Sequence, residues 1–82
     1  RDFSRAFIDY IITLEVEAKL LAKRGVSSAN YKITTVSGTV YLIGIASNDG
    51  ELQRVLSLIS KIRGVEKIVN HAILVDDVRR NG

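Results

Sequence analysis

The sequence predicts an α+β fold, a single α-β-β-α-β domain in which a three-stranded mixed sheet carries two helices packed on one face. Three observations lead there. Residues Tyr31 to Ile45 (YKITTVSGTVYLIGI) form two alternating runs around Ser37-Gly38, and period-two alternation across a short Gly-containing link is the pattern of a β-hairpin. Stretches with helical apolar spacing lie on either side of it, from Phe3 to Lys23 and again after Asn48. A last alternating run, Val65 to Val75, follows Gly64; a strand-helix-strand crossover of this kind is right-handed and leaves its two strands parallel.

The first helix contains neither Gly nor Pro, and Asp2, Ser4 and Asp9 are each candidate N-caps. Lys23 and Arg24 suit the negative end of the helix dipole, and Gly25 suits the residue that stops it. At about 100° per residue, Ile8, Ile12, Val16 and Leu20 form one stripe. Phe7, Ile11, Leu14 and Ala18, with Tyr10 and Leu21 beside them, form a second on roughly the opposite side. One helix cannot bury both stripes against one small sheet, so the second is surplus to the core.

In the hairpin, Tyr31, Ile33, Thr35, Val40, Leu42 and Gly44 share one face. Lys32, Thr34, Val36, Thr39, Tyr41, Ile43 and Ile45 share the other. Both faces carry apolar residues, which allows partial cover on both. The Val40 strand belongs in the centre, where Gly44 would let a helix approach. Asn48 followed by Glu51 resembles a capping box. It opens a second helix with Leu52, Val55, Leu56, Ile59 and Ile62 on one face, stopped by Gly64. The closing strand sets Ile68, Asn70, Ala72 and Leu74 against Val69, His71, Ile73 and Val75, and Asp76 to Gly82 is a charged tail expected to fray.

Composition bounds the rest. Eighty-two residues make one domain, and a chain this short buries only about 60% of its unfolded surface. With no cysteine, no disulfide or thiolate metal site supplements the core; the redox compartment stays open. A hydrophobic share of 46% with 26% charged residues is that of a folded domain. The net charge of +3 weakly favours anionic partners. No apolar run approaches the roughly 18 residues needed to span a bilayer, and no signal peptide or lipidation motif is seen. The abrupt start on a charged amphipathic segment is what a piece of a longer protein would give.

The segments DYIITLEVEAKLL in the first helix, VSGTVYLIGI in the hairpin and GVEKIVNHAILV at the closing strand, in this order, resemble the BON domain (bacterial OsmY and nodulation). The resemblance covers about Asp9 to Val75. It is nearest to the second BON domain of dual-domain outer-membrane lipoproteins of Gram-negative bacteria. It implies a non-catalytic periplasmic module, anchored to the outer membrane in the full-length protein, with roles in envelope integrity or stress response. It also implies contact with anionic phospholipid through the start of the first helix, and a companion BON domain or envelope protein as a further partner. Ile11, preceded by Tyr10, stands where the relatives carry an interfacial aromatic. Glu15 and Glu17 on that helix depart from the pattern and lower its attraction to an anionic headgroup, while Leu14 widens the apolar patch.

Chemistry argues for binding rather than catalysis. His71 is the sole histidine and falls in a strand, and Asp76-Asp77 lies in the tail, where general acid-base geometry cannot be held. One histidine and scattered carboxylates make no metal site, and no cofactor is expected. Nucleic acid is not an expected partner, because there is no GXXG loop and no aromatic RNP motif. The candidate lipid- or partner-binding residues are Arg5, Phe7, Tyr10, Ile11 and Leu14 on the first helix, with Lys61, Arg63 and Lys67 around the end of the second. The basic trio would add to a membrane surface only if it faces the same side; otherwise it serves the helix dipole and solubility. The surplus stripe equally suits a neighbouring domain or a second copy of the chain.

Overall fold

The computed structural model describes residues 3–76. In chain order these are helix α1 (Phe3–Ala22), a 3-10 turn (Ser28–Asn30), strands β1 (Tyr31–Val36) and β2 (Thr39–Ala46), helix α2 (Asp49–Ser60) and strand β3 (Lys67–Leu74). The sheet order is β1-β2-β3, with β2 antiparallel to β1 and parallel to β3. The expected α-β-β-α-β order and mixed sheet are both present. Asp2 and the tail beyond Asp76 lie outside the described residues.

Two periodicities meet in one core. Alternate residues Ile33, Val40, Leu42 and Ala46 point from the sheet toward Ile12, Val16 and Leu20 of α1 and Leu52, Val55 and Ile59 of α2. Both helices therefore cover the same sheet face. The other face, for which partial cover was expected, is open: Val36, Ile43, Ile45 and Ile73 are all exposed. The helices run antiparallel. Arg54 Nη2 of α2 donates to the Gly25 carbonyl just past α1 (3.4 Å), whereas Gly64, past the far end of α2, abuts Ile12 Cδ1.

Ser37 and Gly38 both have positive φ, 49° and 80°, the conformation of a two-residue hairpin turn whose twist matches its strands. Asp9 holds that turn from α1. Its carboxylate accepts the Ser37 N–H at 2.7 Å and the Gly38 N–H at 3.0 Å. Asp9 and Ser4 are thus inside α1, not N-caps. Because Asp9 is level with the hairpin tip, the preceding turns of α1 overshoot the sheet. Ile8, expected in the buried stripe, is exposed for that reason.

Gly44 serves a different neighbour from the one expected. A Cβ there would collide with the Asn30 carbonyl oxygen and lie 2.9 Å from Tyr31 Cα. The close approach is by the backbone entering β1, not by a helix.

Asn48 caps α2 as expected, its Oδ1 accepting the Glu51 N–H at 2.8 Å. Glu51 itself does more than close a capping box. It is 3% exposed, and its carboxylate accepts the Ser47 N–H (2.7 Å), the Ser27 N–H (3.0 Å) and the Tyr31 hydroxyl (2.9 Å). Burial pushes its pKa up, but the hydrogen bonds from Ser47, Ser27 and Tyr31 outweigh burial and hold it below the ordinary value. Tyr31 moves the other way. Burial, its hydrogen bond to Glu51 and the nearby negative charge raise its pKa well above normal, against a small opposing pull from Arg54.

Glu51→Ala leaves buried donors without an acceptor and should lower the unfolding free energy by about 3 kcal/mol in urea titrations. Gly44→Ala should cost about 2–3 kcal/mol, because the obstructing atoms include backbone. For pH, the depressed Glu51 pKa makes its contribution complete above the ordinary value of 4.5 and lost as pH falls through the native pKa. The raised Tyr31 pKa makes its contribution complete below the ordinary value of 10.0 and lost as pH rises beyond it. Melting temperature against pH should show both limbs, and Tyr31→Phe should flatten the alkaline one.

Candidate functional site

The fold decides which stripe of α1 is spent on the core. Thr13 Oγ1 donates to Thr35 Oγ1 at 2.8 Å, which, with Ile12, Val16 and Leu20 buried, sets the rotation of the helix. The surplus stripe is consequently turned away from the sheet. Phe7 is 63% exposed, Tyr10 59%, Ile11 42% and Leu14 43%. Leu21 continues the stripe and Phe3 extends it over the overshooting first turns. Apolar side chains on adjacent turns make a continuous patch on a rigid element, the form expected of an interaction surface.

The structure distributes the expected basic residues over different sides. Arg5 is exposed on the overshooting part of α1. Lys61 caps α2 and lines a groove between α1 and α2, while Arg63 lies exposed in the turn that follows. Lys67 begins β3 opposite Thr39, in the same alternation as Val69, His71 and Ile73, and so belongs to the open sheet face. It is not brought to the helical side.

The groove has a volume of about 600 Å³. Lys19 and Lys23 of the α1 side face Arg54 and Lys61 of the α2 side across it, with Glu15 the one acidic lining residue among those described. Leu58 and Ile62 supply its apolar floor. Lys19, Lys23 and Arg54 were not expected as site residues. In the sequence Lys23 reads as a partner of the helix dipole and Lys19 and Arg54 as solvated helix surface, and only antiparallel packing of the helices assembles them.

His71 is exposed and lies opposite Ile43 in the register. Among the described residues no three His, Cys, Asp or Glu side chains are grouped to hold a metal ion. No described helix is long and apolar enough to cross a membrane.

Comparison with known proteins agrees with the family resemblance. An uncharacterized protein in the gshII 5′ region of Anaplasma centrale is 37% identical over 67 residues, which is 82% of this chain and 44% of that protein. The chain thus spans less than half of that relative. Among solved structures, CdsD, a structural protein of the type III secretion system of Chlamydia trachomatis, superposes with a TM-score of 0.70 at 16% identity. The superposition covers 89% of this chain and 36% of CdsD, a likeness of fold. The family model for the BON domain matches residues 9–76, a span that begins at the Asp9 clamp and ends just after β3. The chain belongs to the BON domain family, whose domains are in general non-catalytic binding modules.

Proposed function

We propose that this domain is a non-catalytic module of the bacterial cell envelope that docks on anionic phospholipid through the outer stripe of α1, on the periplasmic side of the outer membrane, in support of envelope integrity. The observation that carries the reading is the exposed row Phe7, Tyr10, Ile11 and Leu14 on a helix whose opposite stripe is buried. A helix so placed can lie in the headgroup boundary with its apolar face inward. The first turns of α1, clear of the sheet, can enter without the hairpin in the way. A net charge of +3 favours an anionic over a neutral surface. Membership of the BON family and a fold shared with a secretion-system structural protein support an envelope setting.

A second reading, a protein-interaction or self-association module, draws support from the open sheet face, where Val36, Ile43, Ile45 and Ile73 are exposed without cover from any described residue.

Vesicle co-sedimentation separates the two. Wild-type protein should bind phosphatidylglycerol-containing vesicles and bind phosphatidylcholine vesicles weakly. Ile11→Asp should fold normally and lose binding by about tenfold or more, since burial of a large aliphatic side chain contributes about 1.5–3 kcal/mol. Unchanged binding by Ile11→Asp, or equal binding to both lipids, would sink the lipid reading. Concentration-dependent sedimentation without lipid would favour the second.

A further inference from the structure

We infer that the groove between α1 and α2 is a headgroup site for an anionic phospholipid, seating its phosphate among Lys19, Lys23, Arg54 and Lys61. The inference rests on the membrane reading above and adds to it the place where charge is recognised. Both the groove and the exposed stripe of α1 belong to the outer surface of the helical layer, since both are turned away from the sheet. A membrane that receives Ile11 and Leu14 therefore meets the mouth of the groove.

The chemistry suits an amphiphilic anion. Four cations against the single carboxylate of Glu15 leave the lining strongly positive, and such a concave basic site concentrates anions more than scattered surface lysines do. The apolar floor of Leu58 and Ile62 suits the glycerol and first methylenes of a lipid rather than a fully hydrated ion. Arg54 is steadied by its hydrogen bond to the Gly25 carbonyl (3.4 Å), so one donor is already oriented; a guanidinium also matches two phosphate oxygens at once. The groove solves a problem that Glu15 and Glu17 pose on α1. Their charge opposes an anionic surface, and the groove cations, two from the α1 side and two from the α2 side, restore the attraction.

The test compares two double variants of equal charge change. Lys19→Ala/Lys61→Ala removes two groove cations; Lys32→Ala/Lys67→Ala removes two from β1 and β3, in the alternation of the open sheet face. Affinity for phosphatidylglycerol-containing vesicles is measured for each across a salt series. The groove pair should weaken binding by roughly 20- to 30-fold, about fivefold per lysine at about 1 kcal/mol each, and flatten the salt dependence. The sheet pair should change it by less than about twofold. In titrations with short-chain phosphatidylglycerol, amide shifts should appear at Lys19, Ser57 and Lys61. Equal losses from the two pairs would overturn the groove while leaving the membrane reading intact, because net charge alone would explain them. No binding of wild-type protein to any vesicle would overturn both.

Discussion

Three donors from separate segments converge on the Glu51 carboxylate: the Ser27 N–H before β1, the Tyr31 hydroxyl at the start of β1 and the Ser47 N–H after β2. A carboxylate buried to this degree is tolerated only when its oxygens are saturated with donors. Each connection into or out of the hairpin is consequently tied to the first turn of α2. Burial raises the pKa of both Tyr31 and Glu51; the bond between them adds to the rise at Tyr31, whereas at Glu51 the donors from Ser47, Ser27 and Tyr31 together outweigh burial and lower it. With Asp9 fastening the other end of the hairpin to α1, the sheet is held at both ends by a helix carboxylate. The positions of α1 and α2 over it follow.

That placement makes a two-layer fold, and a two-layer fold has two outer surfaces. On the helical side, α1 shows an apolar stripe next to a basic groove. On the sheet side, Val36, Ile43, Ile45 and Ile73 are exposed, while Thr39, Tyr41 and Val69 are half-buried. Asn70 Oδ1 accepts the Ala72 N–H on β3 at 2.9 Å, which satisfies a donor that an edge strand would otherwise present to another chain. Separate interaction surfaces on the helical side and on the sheet side are physically compatible within one domain, because the core separates them.

Much of this was legible in the residues. Hydrophobic periodicity is local, so the hairpin, its central strand, the cap at Asn48 and the amphipathic face of α2 could be read directly. The surplus stripe of α1 was legible for the same reason: a helix with two apolar stripes exceeds what one sheet face can cover. Gly44 reads in the sequence as a place of close approach, but a missing Cβ does not say what fills the space, and the neighbour there is the backbone entering β1 rather than a helix. Asp9 looked like a cap because a carboxylate beside a helix start and a carboxylate reaching a turn 28 residues away are the same letter in the chain.

The order of elements, the sheet topology and the apolar stripe that the core leaves over are local properties, because each depends on spacing within a segment or on the handedness of a single crossover. Packing in three dimensions makes Glu51 a buried anchor, lets Ile8 escape the core, and joins Lys61 to Lys19, Lys23 and Arg54 while carrying Lys67 to the other layer. Those outcomes depend on the antiparallel setting of two helices and on where α1 runs past the hairpin tip. They are distances between segments far apart in the chain, and no local pattern encodes them.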